Sequence, residues 1–152
     1  MKNKDIMVLV SNGVMTITTH SVSSDHAFQI FLFRKALKKA LTDLMMAEQA
    51  LVKEAGIEDG PAFDAKLAKL RQDGPSAELE AAEDKLKRYV AMHEALDNED
   101  VRLDGIKAIP YEQWRLLQQE NKAVTIGGRT VDALSGEVEI ILENILWEAP
   151  SE

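Results

Sequence analysis

A helix-dominated α+β fold is predicted by three features of this sequence. The stretch Ser24–Ala55, SDHAFQIFLFRKALKKALTDLMMAEQALVKEA, runs for about thirty residues without Gly or Pro. A second run, 77–97, repeats its apolar heptad spacing, and short β-branched runs flank the two. Together they predict a long antiparallel α-hairpin, packed with a small antiparallel β element and a C-terminal helix. The 152 residues suit one domain in three parts: an N-terminal β-hairpin over 5–20, a helical hairpin over 24–97, and a mixed α/β part over 101–148.

Within 5–20, DIMVLVSNGVMTITTH holds two β-branched runs, 6–10 and 14–19. Ser11-Asn12-Gly13 between them offers Gly for a left-handed turn, which predicts a β-hairpin. The polar connector His20–His26 follows, where Ser23, Ser24 or Asp25 can cap the long helix. In that helix Ile30, Leu37, Leu44 and Leu51 recur every seventh residue, with Phe33, Ala40 and Ala47 at the positions between. Such a seam needs a partner helix. Gly56 ends it.

Two Asp-Gly-Pro punctuations, 59–61 and 73–75, predict a short helix over 62–72 and a longer one from Ser76 over 77–97. The second carries Leu79, Ala82, Leu86, Tyr89, His93 and Leu96 at a/d spacing. Antiparallel pairing with residue numbers summing to about 133 sets Leu44 against Tyr89, Leu51 against Ala82 and Ala40 against His93, large facing small at most levels. The same register brings Arg34, Lys35, Lys38 and Lys39 level with the acidic run 94–100, and Glu48 level with Lys85. Segment 101–109 reads as a strand or extended segment, interrupted at Gly105. Pro110 leads a short helix with Trp114 and Leu117 inward, and 123–131 reads as a hairpin turning at Gly127-Gly128. Asp132 or Ser135 then caps a last helix over 133–147, striped by Leu134, Val138, Ile141, Leu142 and Ile145; the alternative makes EVEIIL a strand.

Composition narrows the function. With no Cys, the chain has neither a disulfide framework nor a thiolate ligand or nucleophile. The run IMVLV is too short for a signal peptide or a membrane span, so the expected location is the cytoplasm, or a virion assembled there. A formal net charge of −8 opposes nucleic acid and anionic membranes as partners. The basic cluster Arg34-Lys35-Lys38-Lys39 lacks interleaved aromatics and has an internal counter-charge in 94–100.

Candidate sites are few. His20, Asp25 and His26 are metal-ligating types, but no third ligand stands at a motif spacing, and capping accounts for Asp25 and the serines. His93 sits on the seam, and its sequence neighbour Glu94 faces elsewhere. Glu80, Glu83, Glu94 and Asp97 spell ExxE…ExxD, which resembles the magnesium-binding pattern of the all-α nucleotide pyrophosphohydrolases. In that family the two motifs lie on different helices that meet. Here they share one helix, which sets Glu80 and Glu94 about 21 Å apart, so the activity is not carried over. Gly127-Gly128-Arg129-Thr130 has the setting of a phosphate loop without its motif.

These observations favour a non-enzymatic interaction or assembly protein, as small bacterial or phage structural and accessory proteins are, without cofactor, catalytic residue or metal. Its partner is a protein or a second copy. The alternative is a small metal- or phosphate-dependent enzyme using the His20–His26 connector or the carboxylates of 77–97. Phe28, Phe31, Leu32, Leu41, Met45, Met46 and Val52 lie off the main seam, wider than one partner helix can cover, and form the expected interface. The seam itself is testable. Leu44→Asp would place a carboxylate in it and should cost about 4 kcal/mol or more, read as loss of far-UV ellipticity and of a cooperative melt; a native-like variant would remove the seam.

Overall fold

Asp5 begins the fold. Its carboxylate accepts the backbone N–H of Lys2 at 2.8 Å and closes the first turn of helix α1, Asn3–Ser11. The β-hairpin expected over 5–20 is thus replaced by α1 and a 3-10 turn, Val14–Thr16. Burial decides it: Asn3, Ile6 and Leu9 are buried while Met7 is exposed, a period of three rather than two. Gly13, at φ 83°, is the left-handed residue beyond the helix end rather than a hairpin turn. A Cβ there would lie 2.5 Å from Ile126 Cδ1, so close approach also requires glycine.

A computed structural model of the chain describes residues 1–150 and shows a mainly helical α+β fold. After α1 come α2 (Ser24–Ala55), α3 (Gly60–Asp73), α4 (Ala77–Asp97), β1 (Ile109–Pro110), α5 (Tyr111–Glu120), β2 (Val124–Ile126), β3 (Arg129–Val131), α6 (Glu137–Leu142) and β4 (Trp147–Glu148). Helices α2 to α5 and the hairpin β2–β3 lie where the sequence places them. Two compact units divide the chain, one of 1–41 with 100–152 and one of 42–99, and α2 contributes to both.

In the first unit Ile30, Phe33 and Leu37 of α2 are fully buried, with Ile6, Leu9, Trp114, Leu117, Leu134 and Leu142. Trp114 and Trp147 stack at 5.9 Å, and Tyr111 lies 5.4 Å from Trp147. Both indole N–H groups donate to Glu139, Trp147 to its carbonyl at 3.0 Å and Trp114 to its carboxylate at 3.4 Å. Strands β1 and β4 pair in parallel, Ile109 opposite Trp147. Hairpin β2–β3 is antiparallel around Gly127 and Gly128, at φ 54° and 77°, as a two-residue turn requires.

Two expectations here are corrected. Segment 101–108 forms no regular strand, because its backbone bonds go elsewhere: Val101 N–H to the Met1 carbonyl at 2.7 Å and Lys107 N–H to the Gln29 side chain at 2.8 Å. The last helix spans 137–142 rather than 133–147, and its cap is Gly136, not Asp132 or Ser135. It is a helix, not a strand, but Asn144 turns the chain at φ 63° and β4 takes Trp147 into the pair with β1.

The second unit holds the end of α2 with α3 and α4. Asp59 caps α3 through the Ala62 N–H, and Ser76 caps α4 through the Leu79 N–H, each at 3.1 Å. Helices α2 and α4 run antiparallel, but Glu48 meets His93 and Glu54 meets Arg88. The expected partner of Glu48 was Lys85, so the register stands roughly two turns further along. Heptad stripes tolerate that slip, because a shift of about one repeat keeps the same residues inward. Leu44, Leu51, Leu67, Ala82 and Leu96 are buried here. In the first unit Arg34 donates to the Ile17 carbonyl at 2.8 Å, and Asp100 pairs with Lys2 at 2.8 Å.

Asn121 is the polar key of the first unit, 1% exposed. Its Oδ1 accepts the Thr18 N–H at 2.8 Å, while its Nδ2 donates to the carbonyls of Thr18 and Leu117, each at 2.9 Å. Asn121→Ala removes the partners of the Thr18 N–H and carbonyl, while Leu117 keeps the N–H of residue 121, and should cost about 2–3 kcal/mol, against roughly 0.5 kcal/mol or less for exposed Lys122→Ala, both measured by urea denaturation.

Candidate functional site

Helix α2 buries one stripe and leaves much of its remaining apolar surface bare. In the first unit Phe28 and Phe31 are 55% and 53% exposed. They stand three residues apart on one helix face, their rings stacked at 6.2 Å and 21°. Leu32 and Leu41 are half-buried. In the second unit Met45 and Met46 are 53% and 64% exposed, and Val52 is half-buried. Four of the seven expected interface residues are therefore well exposed, and two of these four, Phe28 and Phe31, form a ring pair.

Within the second unit a recess of about 490 Å³ opens between α2 and α4. Met45, Gln49, Val52 and Tyr89 line it, together with Glu48 and His93. The His93 ring is held on both sides: Nε2 lies 3.6 Å from Glu48 Oε1, and Nδ1 lies 3.2 Å from Asp97 Oδ2. Asp97 is one turn beyond His93 on the same helix face. The Tyr89 ring lies 5.7 Å away, tilted at 45°. Taking one donor atom from each of Glu48, His93 and Asp97, all fall within 4.8 Å of one another. Sequence spacing makes the His93–Asp97 pair visible at i,i+4; Glu48 joins it only through the helix register.

The His20–His26 connector is occupied with holding itself in place. Glu120, from the end of α5, accepts the backbone N–H groups of His20 and Ser21 at 2.9 and 2.7 Å, and also the Thr18 hydroxyl. Ser23 accepts the His26 N–H at 3.4 Å and so caps α2. His26 Nδ1 lies 3.0 Å from Ser23 Oγ and 3.2 Å from Gln113 Oε1, while His20 and Asp25 are exposed. No metal-ligating group of three or more forms in the connector among the described residues.

The remaining candidates separate. Glu80 and Glu94 are exposed on α4, Glu83 pairs with Arg71 at 3.3 Å, and only Asp97 of the ExxE…ExxD set joins another donor group. Gly127 and Gly128 turn the hairpin, and Arg129 donates to the Ser11 carbonyl at 3.4 Å. Neither a scan against protein-family models nor searches of curated proteins and of solved structures finds a match for the chain.

Glu120 gives the connector a pH signature. Burial pushes its carboxyl up, but the hydrogen bonds from Ser21, Thr18 and the His20 amide outweigh that and hold it down at about 2. A carboxyl depressed in the fold contributes stability above its ordinary value of 4.5 and loses it as pH falls toward 2. Melting temperature followed across that window should fall more steeply for the native chain than for Glu120→Gln, which lacks the titrating group. Parallel curves would mean that Glu120 does not hold the connector.

Proposed function

We propose that this chain is a non-enzymatic assembly protein, of the kind that small bacterial or phage structural and accessory proteins represent. It self-associates, or holds a partner protein, through the apolar surface of α2. The observation that carries this reading is the stacked pair Phe28–Phe31, more than half exposed on a helix whose opposite side buries Ile30, Phe33 and Leu37 completely. Burying one such ring is worth roughly 1.5–3 kcal/mol, and this face leaves it unrealised in the single chain. Exposed Met45 and Met46 support the reading, since flexible thioethers suit an adaptable contact. The same proposal has no nucleic-acid or membrane partner, in keeping with the net charge of −8. It places the chain in the cytoplasm or in a virion assembled there. Among the described residues no helix is long and apolar enough to cross a membrane.

Self-association is read by light scattering on the eluting protein. The expected mass exceeds the 16.9 kDa of one chain and rises with concentration up to about 1 mM, where a contact worth roughly 4 kcal/mol is half formed. Phe28→Ser with Phe31→Ser should return the mass to one chain with unchanged far-UV ellipticity. A single-chain mass throughout that range would overturn self-association, and a variant that assembles as the native chain does would remove α2 as the surface.

A further inference from the structure

We propose that Glu48, His93 and Asp97 form a binding site for a divalent transition-metal cation of the zinc type, clamping the end of α2 to α4. The site is independent of the assembly reading. Its three donors come from two helices, and His93 and Asp97 share one face of α4 by their spacing of four. Zinc holds nitrogen at about 2.0–2.1 Å and carboxylate oxygen at about 2.0–2.2 Å, so two ligands on one ion stand roughly 3–4 Å apart. The 3.6 Å between His93 Nε2 and Glu48 Oε1 already lies in that range, while Asp97 Oδ2 stands 3.2 Å from the other ring nitrogen.

The ring itself lies between two anionic groups. A neutral imidazole has one N–H and one lone pair, yet both nitrogens of His93 face carboxylate oxygens. Two N–H donors on a protonated ring would satisfy both carboxylates, and so would a metal ion held between one ring nitrogen and a carboxylate. With Nδ1–H donating to the Asp97 carboxylate, Nε2 and Glu48 would be left to take the ion, the carboxylate–histidine–metal arrangement that fixes the tautomer and raises ligand basicity. Otherwise Asp97 ligates directly; both arrangements use the same three residues.

Helix electrostatics supply an independent reason. The last turn of α4 carries Glu94 and Asp97 and no basic residue. Acidic groups at the negative end of a helix are unfavourable, and a bound cation there reverses the sign of the interaction. Imidazole among the ligands selects a borderline cation over magnesium or calcium, which prefer oxygen. The recess of about 490 Å³ beside the site leaves room for water or a further ligand to complete the coordination.

Zinc chloride titrated into the purified chain by calorimetry tests this, with thermal unfolding alongside. One zinc per chain is expected, with a rise in melting temperature, while magnesium neither binds nor competes. His93→Gln, Glu48→Gln and Asp97→Asn should each weaken binding at least tenfold, with far-UV ellipticity unchanged. The double variant His20→Gln with His26→Gln removes the other two histidines and should bind as the native chain does. Absence of binding in the native chain, or binding unaltered by His93→Gln, would overturn the site. Binding abolished by the double variant would move it to the connector and equally overturn it.

Discussion

A helix of 32 residues with one apolar stripe sets the problem that the rest of the chain solves. At 1.5 Å per residue, α2 is roughly 48 Å long, and the next longest helix among the described residues, α4, has 21 residues. No single neighbour can cover the whole stripe, so the cover is divided. Over 24–41 the stripe lies within the first unit, where Ile30, Phe33 and Leu37 are fully buried and Trp114, Ile109 and Leu117 are fully buried too. Over 42–55 it lies within the second, whose best-buried residue, Leu44, retains 3% exposure, followed by Leu67 and Ala55 at 5%. The burial is thus complete at these positions of the first unit and slightly less so in the second.

Where one physical signal ruled alone, the sequence was readable. Helices α2 to α5 combine a periodic stripe with a terminator or a cap, and Asp59 and Ser76 cap as their positions suggest. The N-terminal segment shows how a signal can carry two meanings. Gly13 after β-branched residues suits a hairpin turn, yet the same left-handed residue ends a helix just as well. The choice depended on Asp5 closing the first turn and on a core that accepts residues three apart, Ile6 and Leu9. At the other end, the stripe of 134–145 continues through a turn at Asn144 that no composition rule announces. Pairing of Trp147 with Ile109, distant in sequence, wins over extension of α6.

The histidine cluster was legible only in part, for a reason that lies in heptad geometry. Apolar positions repeat every seven residues, so sliding α4 along α2 by about one repeat changes little in the buried seam. Its effect on the flanking polar residues is complete. In one register Glu48 faces Lys85 and neutralises it; in the observed one Glu48 faces His93, and Arg88 reaches Glu54 instead. The seam therefore specifies that the helices pair, while the flanks specify how. His93 and Asp97 are neighbours in any register because four residues on a helix always are. A pair becomes a three-donor group only through tertiary placement, which is why the sequence offered His93 as a seam residue and nothing more.

Aromatic side chains are scarce here, and their distribution bears on the exposed face of α2. The chain has two Trp, two Tyr and four Phe. Trp114, Trp147 and Tyr111 form one cluster, Phe33 is fully buried in the first unit, Phe63 lines a recess with Leu67 and Ala82, and Tyr89 lies near His93. Phe28 and Phe31 are the exceptions, touching each other and facing outward. Isolated apolar residues on a surface are ordinary, but two stacked rings form a continuous patch on a rigid helix. Folding alone gives no reason for them, since the stripe opposite already anchors α2 and polar residues at 28 and 31 would keep the helix more soluble. A rigid aromatic pair does serve association, where large rings with few rotatable bonds lose little entropy on contact. The long helix thus divides its faces: one is buried in the fold, and the other presents Phe28, Phe31, Met45 and Met46 outward among exposed lysines.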